Sequence, residues 1–181
     1  METLKKLEHT IAGWFKKAPD MPKEWRVWLG NNIWWVAIIG VVSCALATIG
    51  MLGVLFGSFA LFGAVVVQPV ASTVVAWGVV HSVISLIFIV GQGALLLAAI
   101  QPLKAKYKRG WVLLFAAFLL SALSVAVNSV LSLSVVDFIS SILAGVISLG
   151  IGGYILFQMH GEFAHNESKK TLKKADEAAQ K

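Results

Sequence analysis

Charged residues are missing from two long parts of this sequence. No Asp, Glu, Lys or Arg occurs between Val27 and Leu103, and Asp137 is the only charged residue between Trp111 and Met159. A soluble domain needs dispersed surface charge, whereas an uncompensated charge in hydrocarbon costs several kcal/mol. The absence of charge therefore excludes a soluble fold and predicts an integral membrane protein. The composition agrees, because 58% of the residues are hydrophobic.

Motifs with a specific chemistry are also missing. Cys44 is the only cysteine, so the chain cannot form an internal disulfide. The sequence has no HExxH, no Cys and His cluster with metal-ligand spacing, no Walker-type glycine loop and no Ser, His and Asp set around a nucleophile elbow. We therefore expect no enzyme activity, no cofactor and no metal site. The N-terminal region has no short apolar core before a cleavage site, so no cleaved signal peptide is expected.

Four apolar windows are each long enough to cross a hydrocarbon core of about 30 Å, which takes about 20 helical residues. The predicted spans are Trp34 to Leu55, Trp77 to Ile100, Trp111 to Leu131 and Phe138 to Met159. We expect an all-α integral membrane protein with four transmembrane helices, arranged as two hairpins in a compact bundle over residues 31–160. Residues 1–30 are then an interfacial segment, and residues 161–181 are a Lys-rich tail.

Basic residues form three clusters, which four spans would place on one side of the membrane. This is the positive-inside pattern, so both termini and the loop 101–110 are predicted to be cytoplasmic, with the chain in the plasma membrane. The clusters favour contact with anionic lipids and not with nucleic acid. They are Lys5, Lys6, Lys16, Lys17, Lys23 and Arg26; Lys104, Lys106, Lys108 and Arg109; and Lys169, Lys170, Lys173, Lys174 and Lys181.

Residues 1–18 have the spacing of an amphipathic helix, with apolar side chains three and four positions apart and lysines between them. The pattern predicts a helix on the cytoplasmic leaflet, and a helix docked on a partner or on the rest of the chain is the alternative. Nearby tryptophans are interpreted as interface anchors and not as a ligand-binding cage, with Trp77 at the opposite interface. The predicted lipid-interface residues are Trp14, Lys16, Lys17, Trp25, Trp28, Trp34, Trp35 and Trp111.

The connection over residues 56–76 is uncharged and mostly apolar, which is unusual for a loop in water. Its apolar part, Phe56 to Val67, is too short for a fifth span, and a fifth span would place the Lys-rich tail on the wrong side. We expect either a re-entrant or interfacial excursion on the outer face, or an over-long, tilted first helix.

Small residues recur on one side of the first and fourth spans. Because lipid tails compete equally well for apolar side chains, membrane helices associate where small residues let their backbones approach. We interpret these positions as packing seams, and a polar conduit is the alternative. The predicted packing residues are Gly40, Ser43, Gly50, Gly53, Gly57, Ser141, Gly145, Ser148 and Gly152.

Polar side chains mark one face of the second span and the outer ends of its neighbours. His81, Ser85 and Gln92 lie within about 40° of one another on a helix, so their face should point inward. His81, Asn128 and Asp137 all lie near the outer ends of their spans, and together with Ser85 and Gln92 they are predicted as a candidate polar pocket. The alternative is that His81 only hydrogen-bonds a neighbouring helix and that Asp137 caps the fourth helix.

Two functions fit this description. The first is a non-enzymatic membrane protein, a structural, scaffolding or accessory subunit that acts through helix packing and inner-leaflet contacts, in a homo-oligomer or a membrane protein complex. The second is a small oligomeric transporter or channel with a polar path lined by His81, Gln92, Asn128 and Asp137. Four helices enclose little space, so a pore would form between protomers.

Overall fold

The computed structural model describes residues 10–11, 13, 19–65, 69–132, 134–161 and 163. This part of the chain contains the helices α1 (Lys23–Val65), α2 (Pro69–Lys104), α3 (Lys108–Val130) and α4 (Val135–Gln158), and no strand. Each of the four helices is long and apolar enough to cross a membrane. The predictions of an all-α chain and of four membrane-compatible helices are therefore confirmed.

In the connection predicted over 56–76, residues 56–65 belong to α1 and residues 69–76 belong to α2, so the described residues of this segment do not form a loop. An apolar segment surrounded by lipid has no water to satisfy its backbone, so a helix, which satisfies its backbone internally, is the stable conformation. α1 has 43 residues. At 1.5 Å per residue it is about 65 Å long, roughly twice the thickness of a hydrocarbon core. Of the two alternatives, the described residues contain the long first helix.

Each helix packs against the next helix along the chain and runs in the opposite direction. Residue numbers that rise along one helix fall along its neighbour at successive contacts. The pairs are Gly40 with Leu96 and Cys44 with Gly93 for α1 and α2, Ser85 with Asn128 and Gly91 with Leu120 for α2 and α3, and Phe118 with Gly152 and Val125 with Gly145 for α3 and α4.

A tight turn joins α2 to α3. Lys106 adopts a left-handed conformation with φ of 54°. Gly110 lies so close to the end of α2 that a Cβ on it would be 2.7 Å from the backbone nitrogen of Leu103. A side chain at this position would meet backbone atoms, which cannot rotate away, so glycine is required by the close approach.

The buried apolar core lies beside this turn and draws on all four helices. Its side chains therefore hold the helices together at the end where Lys104, Lys106, Lys108 and Arg109 lie. The core consists of Ile33, Ala37, Ala99, Leu103, Trp111, Phe115, Leu156, Met159 and Phe163.

Trp111 was predicted at the lipid interface, and this prediction is wrong. The side chain is 1% exposed, and its ring stacks on Phe115 with the centroids 5.4 Å apart. Its Nε1 donates a hydrogen bond to the carbonyl oxygen of Leu156 at 3.0 Å. A partner for the indole N–H inside the bundle makes burial of the whole ring favourable, so the ring does not need the interface.

Little of the terminal segments belongs to the described residues. The amphipathic helix predicted over 1–18, with Trp14, Lys16 and Lys17, lies mostly outside them, and so does the Lys-rich tail. Ile11 packs, partly buried, against the core. The carbonyl oxygen of Pro19 accepts a hydrogen bond from the Tyr154 hydroxyl of α4 at 2.7 Å. The chain entering α1 is thus attached to the end of α4.

Candidate functional site

A cavity of about 430 Å³ lies between α2, the end of α3 and the start of α4, away from the basic residues. The structure brings His81, Asn128 and Asp137 together here, as lining residues of one cavity. Its volume lies in the range of ligand-binding pockets. The complete lining consists of Val74, Trp77, Gly78, His81, Asn128, Leu131, Ser132, Asp137 and Ser141.

Ser85 lies beneath the cavity and holds Asn128 in place. Ser85 is 6% exposed, and its hydroxyl donates to the Oδ1 of Asn128 at 2.7 Å. The Nδ2 of Asn128 donates to the carbonyl oxygen and the hydroxyl of Ser124, at 2.9 and 3.1 Å. The amide is therefore fixed from both sides, and Ser85 positions a lining residue without lining the cavity itself.

Gln92 does not line this cavity. It lies on α2 about 16 Å beyond His81, counted at 1.5 Å per residue. Between His81 and Gln92 the helices α2 and α3 are closely packed, because a Cβ on Gly91 would be 3.3 Å from Leu120 of α3. Of the polar face predicted for the second span, His81 therefore lines the cavity, and Gln92 lies nearer the basic end.

Asp137 lies in the first turn of α4, and its carboxylate is not the helix cap. The N-cap is Ser134, whose hydroxyl accepts from the backbone N–H of Asp137 at 3.5 Å. The alternative prediction, in which Asp137 caps this helix, is wrong in that respect. Both hydrogen bonds that the structure describes for Asp137 use its backbone, since its carbonyl oxygen accepts from Ser140 at 3.1 Å. The carboxylate is left for the cavity.

Most polar hydrogens of the other lining side chains are used within the protein. Trp77 donates across the helix interface, and the serine hydroxyls donate to nearby carbonyl groups. The Ser141 hydroxyl is also 2.9 Å from the buried hydroxyl of Ser129. The bonds are Trp77 Nε1 to the Leu131 oxygen at 3.0 Å, Ser132 Oγ to the Ser134 oxygen at 2.9 Å and Ser141 Oγ to the Phe138 oxygen at 3.0 Å.

Three further polar or aromatic residues line the cavity and are not among those predicted for it: Trp77, Ser132 and Ser141. A signal was present for two of them. Trp77 is four positions before His81, and Ser141 is four positions after Asp137, so each shares a helix face with a predicted residue. Ser132 lies in the connection between α3 and α4, where helical periodicity makes no prediction.

The residues predicted for helix packing fall into two groups. Gly40 and Gly145 face neighbouring helices: a Cβ would be 2.9 Å from Leu96 on the first and would overlap Val125 on the second. A Cβ on Gly152 would be 3.9 Å from the Phe118 ring. The hydroxyl of Ser141 contacts the hydroxyl of Ser129. The second group lies on the surface of the described chain and consists of Ser43, Gly50, Gly53, Gly57 and Ser148.

The tryptophans near the start of α1 lie on one side of the basic end. Trp25, Trp28 and Trp35 are each more than half exposed. Trp34 is partly buried, and the ammonium of Lys104 lies 5.1 Å from the centre of its ring. The ammonium of Lys106 donates to the amide oxygen of Asn31. Aromatic and basic side chains thus form one mixed surface at this end of the helices.

Comparisons with known proteins assign the chain to no family. No family model matches the chain, and neither a curated protein nor a solved structure matches it. Within the described residues, no group of three or more His, Cys, Asp or Glu side chains forms a possible metal site.

Proposed function

We propose that this chain is a non-enzymatic integral membrane protein that acts as a structural, scaffolding or accessory subunit, and that α1 binds other membrane helices. One observation carries the proposal. Gly50, Gly53 and Gly57 lie on α1 with no described atom within 4 Å of the place that a Cβ would take. Small residues let helix backbones approach in lipid, and none of the described helices of this chain packs against these three.

The proposed arrangement in the membrane is two hairpins with both termini and residues 101–110 in the cytoplasm. The position of the described basic residues at one end of the helices supports it, since lysine and arginine are retained on the cytoplasmic side. The exposed rings of Trp25 and Trp28 beside them support contact with the inner leaflet. Each lysine near an anionic membrane surface contributes about 1 kcal/mol to such contact.

The test is the assembly state of the purified protein in mild detergent. We expect the double variant Gly53→Leu, Gly57→Leu to lose co-purifying chains or to fall to the monomer mass, while the thermal unfolding of the monomer is unchanged. Gly150→Leu is the matched control, because this glycine of α4 also has open space around it. Asp137→Asn and His81→Ala should leave assembly intact.

Two results would contradict the proposal: unchanged assembly of the double variant, or loss of assembly in Asp137→Asn. Gly145→Leu separates assembly from folding. Its side chain would overlap Val125 of the same chain, so we expect it to destabilise the monomer itself.

A small oligomeric transporter or channel is the second candidate, favoured by the cavity that His81, Asn128 and Asp137 line. The fully buried side chains of Trp111 and Phe115 occupy the space between the helices at the other end. A path would therefore run between protomers. Reconstituted liposomes should then show flux that His81→Ala abolishes. Absence of flux for any ion or small solute counts against this candidate.

A further inference from the structure

The cavity beside Asp137 contains one carboxylate and no cationic lysine or arginine. Asp137 is the only charged residue between Trp111 and Met159, and α2 has no charged residue before Lys104. Asp137 is an exposed residue of the first turn of α4, so its carboxylate is accessible to a cation and gives the cavity a negative potential. The cavity therefore attracts a positive charge.

Apart from the imidazole of His81, which carries one N–H donor and one acceptor nitrogen, the hydrogen-bonding groups of the lining favour a ligand that donates. The indole N–H of Trp77 and the amide hydrogens of Asn128 are directed to protein oxygens. The hydroxyls of Ser132 and Ser141 also donate to backbone carbonyls. What these side chains can still offer is lone pairs, on the hydroxyls, on the Asn128 Oδ1 and on the Asp137 carboxylate. A ligand with several N–H groups complements such a lining.

An apolar groove of about 400 Å³ adjoins the cavity along α2. It shares Val74 and Trp77 with the cavity and continues over Thr73, Ala76 and Val80. The Trp77 ring donates a hydrogen bond to the Leu131 carbonyl at 3.0 Å and lines both the polar and the apolar space. The two spaces together fit a molecule with a polar head and an apolar body.

We propose that this site binds a primary alkyl ammonium. The ammonium group contacts the Asp137 carboxylate and the Oδ1 of Asn128, and the alkyl chain lies in the groove beside Trp77. An aromatic wall next to a carboxylate strengthens cation binding further. The same chemistry is carried by a free amine and by the ethanolamine headgroup of a lipid. The site does not depend on association through α1, so either proposal can fail while the other stands.

The first test uses the unaltered chain in phosphatidylcholine nanodiscs. Binding of hexylammonium and of 1-hexanol is measured by isothermal titration calorimetry, with empty nanodiscs subtracted. The two probes share their alkyl chain and differ in charge and N–H donors. We expect saturable binding of hexylammonium that is at least about tenfold tighter than that of the alcohol, because a hydrogen bond to a charged group is involved. Equal affinity, or no saturable binding of the amine, would overturn the proposal.

The second test is Asp137→Asn, which keeps the size of the side chain and removes its charge. We expect at least about a tenfold loss of hexylammonium affinity and little change for hexanol. Asp20→Asn is the matched control, because Asp20 is exposed and precedes α1, on the basic end of the helices. Unchanged amine affinity in Asp137→Asn would overturn the proposal. The amine and alcohol comparison on the unaltered chain still decides the matter if this variant does not fold.

A third measurement identifies the source of the ammonium. Lipids retained by the protein from nanodiscs of mixed phosphatidylethanolamine and phosphatidylcholine are counted by native mass spectrometry. The two headgroups share a phosphate, but only ethanolamine has N–H donors. Enrichment of phosphatidylethanolamine that Asp137→Asn abolishes supports the site as a lipid headgroup site. Saturable hexylammonium binding without such enrichment supports it as a site for a free amine.

Discussion

The two ends of the helical domain are packed in different ways. At the basic end the buried residues are apolar and aromatic, come from all four helices and include the stacked rings of Trp111 and Phe115. At the other end the buried polar residues are Ser82, Ser85 and Ser129. There the helices are joined by single hydrogen bonds, such as that from Ser85 to Asn128, and the cavity lies between them.

This difference follows from the side chains that each end provides. At the basic end large aromatic side chains fill the space between the helices, and the indole N–H of Trp111 has a partner inside it. Lipid tails compete equally well for apolar side chains, so helices surrounded by hydrocarbon gain from close contact of small residues and from hydrogen bonds. Contacts of that kind join the helices at separate points and leave space for a cavity.

Replacing one tryptophan at each end should give the largest difference in the free energy of unfolding. Trp111 and Trp77 each donate a hydrogen bond to a backbone carbonyl at 3.0 Å, but Trp111 is 1% exposed and Trp77 is 37% exposed. We expect Trp111→Ala to lower the free energy of unfolding by about 3–5 kcal/mol, and Trp77→Ala by less than half of that. Unfolding in detergent measures both. Equal losses would show that the two ends do not differ in packing.

Adding a methyl group to one glycine at each end should give a smaller difference in the free energy of unfolding. Gly110→Ala should lower the free energy of unfolding by about 1–3 kcal/mol, because the new Cβ would lie 2.7 Å from the Leu103 nitrogen and 2.9 Å from the Pro102 carbonyl carbon. Gly63→Ala is the control, since no described atom lies within 4 Å of its Cβ position. Thermal unfolding of the control should be unchanged. A stable Gly110→Ala variant would mean that the turn is not closely packed.

The smallest expected effect concerns the hydrogen bonds at the end that contains the cavity. Ser85→Ala removes the donor to Asn128 and should cost about 1 kcal/mol, as single interhelical bonds in membranes do. In Ser58→Ala the hydroxyl that is lost donates to Val54 of the same helix, so we expect a change under about 0.5 kcal/mol. The two variants are compared by denaturation in detergent. A larger loss for Ser58→Ala would contradict the assignment of Ser85 as a link between helices.

The predicted spans could be found in the sequence because the absence of charge over tens of residues has one physical explanation. The meeting of His81, Asn128 and Asp137 could also be predicted, since each lies near the same end of its helix and the helices alternate in direction. The prediction for Trp111 failed because tryptophan is common both at interfaces and in cores, and only the partner of its N–H, which for Trp111 is Leu156, distinguishes the two. The sequence left two alternatives for residues 56–65, because an apolar run without charges lacks a signal for the end of a helix.

Composition and the order of apolar and basic segments alone determined that this chain is helical, membrane-compatible and basic at one end of its helices. These properties depend on the transfer of residues between water and lipid, which the sequence specifies residue by residue. The tertiary structure decided which glycines contact a neighbour and which remain open, that Trp111 is buried, and that Ser134 caps α4 so that the Asp137 carboxylate is left for the cavity. Those outcomes depend on the rotation and register of one helix against another. A helix with small residues on several faces can pack against its neighbour in more than one rotation, so the sequence alone does not specify which face is buried.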